Sequence, residues 1–126
     1  MAEDTPYKQS KDLPDDAVVV RHGAMKFDME TGANTCFDVY GVYGLSGSAV
    51  VGLDADAIAI QSHRNHGKIS ETTAGALRAA GYPVEFTFNG DHVTIKLPGP
   101  PVDDVLTDFR NLFGELRPNP KLNLDP

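Results

Sequence analysis

Several side chains stand at spacings that suit chemistry on a nucleotide. Arg21 closes the apolar run Ala17-Val18-Val19-Val20 and is followed by His22 and Gly23. A guanidinium at a strand end can grip phosphate through two parallel N–H bonds. Ser46 and Ser48 lie two residues apart in "YGLSGSAVV", so a strand there turns both hydroxyls to one face. Tyr43 opens the same run and joins them as a substrate-contacting candidate. Glu85 and His92 flank Asn89-Gly90 and share one face of an expected hairpin. A carboxylate stabilises developing positive charge, and an imidazole moves protons near neutral pH. The set reads as Arg21, His22, Tyr43, Ser46 and Ser48 for binding, with Glu85 and His92 for catalysis.

These residues need elements to hold them. Residues 17–21 form a short, nearly continuous apolar run, which predicts a strand buried on both faces. Residues 25–40 are compatible with a helix that begins near Asp28 or Thr31. Residues 43–51 read as a second strand, whose small residues suggest close backbone approach. Asp54 suits a helix N-cap, with Asp56 in the first turn and Ala57, Ile58 and Ile60 as the apolar face. In "SETTAGALRAAGYP" a Ser or Thr caps a helix, Leu77 faces inward, Gly81 stops it and Pro83 follows.

The hairpin is the sharpest local prediction. Residues 84–88 and 91–97 alternate apolar and polar around Asn89-Gly90, a type I′ turn signal. That register sets Phe86 opposite Val93 and Val84 opposite Ile95 on the core face, with Glu85 opposite Thr94 on the other. A last helix follows Pro101, with Val102, Val105, Leu106, Phe109, Leu112 and Phe113 at helical spacing and Gly114 as its stop. The expected fold class is α+β: a single compact domain with at least four strands, a hairpin in the C-terminal half and three to four helices. Residues 1–16 read as a disordered or loosely wrapped acidic segment, 17–116 as the domain and 117–126 as an extended Pro/Asn-rich tail.

Composition narrows the function classes. A chain of 126 residues with 40% hydrophobic content suits one domain with a modest core. The net charge of −7 argues against binding duplex DNA, which relies on phosphate neutralisation, and allows a basic protein partner. No apolar run reaches the roughly 20 residues of a membrane span, and the polar start lacks a signal-peptide pattern, so a cytoplasmic location is expected. The single Cys36 cannot form an internal disulfide and reads as a small packed residue. His63 and His66 sit three apart but lack a third ligand, so no metal site is assigned. "GLSGS" carries Ser48 where a nucleophile elbow needs Gly, and the chain is short for that fold.

Two family likenesses attach to these residues. Arg21-His22-Gly23 after a strand resembles the histidine-phosphatase signature, which implies a phosphate-accepting His and a phosphate-holding Arg. That fold needs a larger parallel sheet than this chain can build. Arg on a first strand, Ser on a second and Glu on a late strand is similar to the order in one branch of ADP-ribosyltransferases. Here the Ser-Thr-Ser motif is replaced by "LSGS", and Pro83 stands two residues before Glu85.

More broadly, the chain resembles a group of small bacterial proteins through "LPDDAVVVRHG", "YGLSGSAV", "TTAGALRAAGYPV", "DHVTIKLPGPPVDD" and "FGELRPNP". In that group the tripeptide is often Arg-Gly-Gly, which implies that Arg21 rather than His22 is the functional residue. The group is associated with toxins of toxin–antitoxin pairs, some likened to ADP-ribosyltransferases. The resemblance implies an intracellular toxin-like protein, acting on a nucleotide (NAD if it is a transferase) or on RNA through Arg21. Its partner would be a cognate antitoxin or another basic protein. The alternative is a non-enzymatic binding module, an antitoxin or inhibitor using its acidic surface.

Overall fold

The apolar run around Val19 forms β1, Val18–His22. Val19 and Val20 are both fully buried, because successive strand side chains point to opposite faces and each face of the sheet carries a core. Val19 joins the larger cluster, with Ala33, Leu45, Val93, Ile95 and Phe109. Val20 joins the smaller one, with Ala55, Ile58, Ala59 and Ile69. The computed structural model describes residues 8–23, 28–62 and 67–123.

Among the described residues there are six strands and four α-helices, an α+β fold. The other strands are β2 (Gly44–Ser48), β3 (Lys68–Thr73), β4 (Val84–Phe86), β5 (His92–Lys96) and β6 (Arg117–Pro118). The helices are α1 (Asp28–Tyr40), α2 (Ala55–Gln61), α3 (Ala74–Ala79) and α4 (Asp103–Leu112). They build one sheet in the order β4-β5-β2-β1-β3-β6, and every neighbouring pair is antiparallel. This is not the parallel sheet that a histidine phosphatase requires.

Local signals place most of these elements. Asp54 caps α2 by accepting a hydrogen bond from the Ala57 N–H at 2.9 Å, and Thr73 caps α3 through the Ala76 N–H at 3.1 Å. Gly81 follows α3 with φ +93°, the left-handed conformation that glycine takes at a helix stop. Phe109 is fully buried and anchors α4, a contribution of about 1.5–3 kcal/mol for a side chain of this class.

The hairpin has the expected register: Val84 faces Ile95, Glu85 faces Thr94 and Phe86 faces Val93. Its turn differs. A type I′ turn puts positive φ at Asn89 and Gly90, whereas here the positive values fall on Phe88 (+60°) and Gly90 (+59°). The regular strands accordingly end at Phe86 and begin at His92.

Other expectations need correction. Residues 68–73 form β3, which pairs with all five residues of β1, although Ser70 to Thr73 by pattern alone offer only a helix cap. Their alternation is masked because Glu71, Thr72 and Thr73 are only half-buried. The second strand stops at Ser48 rather than 51, because the Leu53 N–H turns back to the Val50 carbonyl through Gly52 at φ +89°. The buried face of α2 is Ala55, Ile58 and Ala59, which shares only Ile58 with the expected set, and Ile60 is exposed. Val102 is exposed at the N-cap of α4.

Both ends of the domain also extend further than residues 17–116. Arg117 and Pro118 add the sixth strand, and the Arg117 guanidinium bonds Glu71 at 2.9 Å and Asp56 at 2.8 Å. At the other end the Gln9 N–H donates to the Phe86 carbonyl at 3.0 Å, Lys8 bridges to Thr87, and Leu13 is buried.

Candidate functional site

The site begins where two central strands part. Among the described residues β1 and β2 share a single paired position, Val20 opposite Ser48, while β2 runs beside β5 along its whole length. Beyond that pair the β1 side of Ser46 has no strand ladder. Arg21 fills the place: its Nη1 donates to the Ser46 carbonyl at 2.7 Å. The guanidinium is almost fully buried and sits 6.0 Å from the centre of the Phe109 ring.

Helix α1 lies against the same opening. Glycine at position 44 keeps the approach possible: a Cβ there would come 2.8 Å from Thr94 Cγ2 and 3.1 Å from Cys36 Sγ. The opening between α1, β2 and the hairpin turn holds a cavity of about 480 Å³, lined in part by Arg21, His22, Tyr40, Ser46, Phe88 and Thr94. That volume falls in the range of small-molecule sites, about 300–1,000 Å³.

A chain of side-chain hydrogen bonds crosses the hairpin to this wall. Ser46 Oγ lies 3.0 Å from His92 Nε2. His92 Nδ1 lies 2.9 Å from Thr87 Oγ1, which lies 2.7 Å from Thr94 Oγ1. With the proton on Nδ1, the ring donates to Thr87 and its Nε2 accepts from the Ser46 hydroxyl, leaving Thr87 to donate to Thr94. A hydroxyl paired with an imidazole whose second nitrogen is held in place is the arrangement of a base-activated nucleophile. Thr87 is fully buried and Thr94 nearly so, which fixes the ring from behind, while Ser46 is exposed.

The anticipated residues therefore divide. Arg21, His22 and Ser46 share the cavity wall, and His92 joins them through Ser46. Ser48 is buried opposite Val20 and does not line the cavity. Tyr43 stacks on Phe37 with ring centres 4.3 Å apart and packs against the larger core, also outside the cavity. Glu85 shares the sheet face of Ser46, but Thr94 stands between them, which separates their backbones by roughly 10 Å, two strand spacings. The Glu85 carboxylate pairs with Lys8 at 3.6 Å and lines a different hollow, with Lys11, Arg78 and Lys96.

Four participants escaped sequence reading. Thr87 and Thr94 were legible only as the polar face of the hairpin. Tyr40 reaches the cavity from a helix end that no periodicity marks, and Phe88 reaches it from a turn, although its place in the alternation of 84–88 predicts a regular strand position.

Cys36 also lines the cavity, but burial pushes its thiol pKa up, against a smaller lowering by the hydrogen bond with the Gly44 backbone. It stays a thiol at neutral pH and is a poor nucleophile. His63 and His66 lie outside the described residues. Among the described residues no three His, Cys, Asp or Glu side chains gather for a metal ion, and no helix is long and apolar enough to cross a membrane. No family model, no curated protein and no solved structure matches the chain.

Proposed function

We propose that the cavity is the active site of a toxin-like enzyme acting on a nucleotide unit, either free, as in NAD, or within RNA. The observation that carries the reading is the Ser46–His92–Thr87 chain ending on a cavity wall that also contains Arg21. His92 is the acid–base group, with Nε2 toward the reacting hydroxyl and Nδ1 anchored by Thr87. Ser46 presents a hydroxyl to that nitrogen. Arg21 supplies positive charge for phosphate oxygens in a site partly shielded from water, where such charge acts more strongly. His92 takes the place that Glu85 holds in the transferase comparison, because Glu85 is turned to Lys8.

The test is controlled expression in a bacterial host, followed by mass spectrometry of NAD and RNA. His92→Gln and Ser46→Ala are expected to relieve growth inhibition and to lower turnover about 100-fold or more for the histidine. Both side chains are partly or fully exposed, so the thermal melt should be unchanged. Undiminished growth inhibition by folded His92→Gln protein would overturn the assignment.

A further inference from the structure

Phe88 is the only non-glycine residue with positive φ among the described residues. At +60° a bulky side chain is strained, and such conformations persist where a binding site holds them. Asn89 follows directly and would take that region more readily, yet it does not. The conformation instead places an aromatic ring. Phe88 meets the His92 ring edge-on at 5.0 Å and the Tyr40 ring at 5.5 Å, tilted by 50°. Both Tyr40 and Phe88 line the cavity, and Phe88 remains 36% exposed.

We infer that Tyr40 and Phe88 form a platform on which a nucleobase stacks, with Arg21 on the wall of the same cavity for the phosphate and His92 beside the platform, reaching the wall through Ser46. The inference deepens the function proposed above and rests on it. A cavity lined by two aromatic rings, a guanidinium and hydroxyls matches a ligand with a flat ring and an anionic group. Stacking tolerates any base, because every base has a π-face. The site therefore takes purine and pyrimidine nucleotides alike and draws its affinity from the ring rather than from base edges.

The experiment compares adenosine 5′-monophosphate, uridine 5′-monophosphate and ribose 5-phosphate by calorimetry on the full chain. The wild-type protein is expected to bind both nucleotides about tenfold or more tighter than ribose 5-phosphate. Phe88→Gly, which accepts positive φ without strain, should lose that advantage while keeping its fold. Phe88→Trp should keep the advantage. Tyr40→Leu gives the same readout should the glycine variant fail to fold. Parallel titrations with NAD and an oligouridylate distinguish a free nucleotide from RNA.

Equal affinity of the wild type for uridine 5′-monophosphate and ribose 5-phosphate would overturn the platform, as would an advantage that survives in Phe88→Gly. In either case, loss of growth inhibition by His92→Gln would leave the catalytic reading standing. A nucleotide advantage together with full growth inhibition by His92→Gln would do the reverse.

Discussion

Arg21 and His92 show how little a residue's type says until its neighbours are known. Arg21 first completes the backbone of a parted strand pair, through the Ser46 carbonyl, and only then offers charge to the cavity. His92 gains a defined ring orientation because buried threonines hold Nδ1. Elsewhere the same kind of coupling governs stability. Tyr82 is fully buried and donates to Asp108 Oδ2 at 2.7 Å. Burial raises its phenol pKa most, and the hydrogen bond and charge of Asp108 raise it further. The folded-state pKa lies above the unfolded value, so this stabilisation is intact below about pH 10 and fades as pH climbs past it. Urea midpoints should therefore fall above that pH. Tyr82→Phe should start about 1–3 kcal/mol lower at neutral pH and show a shallower alkaline decline. An identical alkaline decline in the variant would count against this assignment.

At the scale of elements, β2 is the piece that positions the site. Its small residues were expected to permit close approach, and Gly47 is where a neighbouring backbone comes nearest. A Cβ there would lie 3.1 Å from the Val20 carbonyl and 3.2 Å from both Val19 Cγ1 and Val93 Cγ2. Gly47→Ala should cost about 1–3 kcal/mol in a denaturant melt, because a backbone carbonyl cannot move aside as a flexible side chain can. An unchanged midpoint would mean that the central strands can separate freely. The hairpin is complementary: its register follows from alternation, but its turn does not follow from Asn89-Gly90, because the rings of Phe88, Tyr40 and His92 meet only in the folded chain.

For the whole molecule, the arm at residues 8–13 has a task that its composition hides. It runs along the outer edge of β4, where the Gln9 N–H bonds the Phe86 carbonyl and the Gln9 side chain bonds the Thr87 carbonyl. An open strand edge invites pairing with another chain. Removing residues 1–12 should lower the melting temperature and produce concentration-dependent association in sedimentation. A truncated chain that stays monomeric with an unaltered melt would show the edge to be protected by other means. The net charge of −7 opposes association of like chains at low salt, so the effect should strengthen as salt screens that repulsion.

Sequence by itself determined what is written within a few residues: the doubly buried β1, the Asp54 cap, a Ser or Thr cap on α3, the stop at Gly81 and the pairing of Glu85 with Thr94. Each depends on side-chain period, a capping hydroxyl or carboxylate, or a short turn, all set by neighbours along the chain. Tertiary structure alone decided that β3 lies beside β1, that β1 and β2 part after one pair, and that Thr94 comes between Glu85 and Ser46. Strand order is fixed by which faces bury together, and local pattern carries no record of it. The cavity exists because of that order.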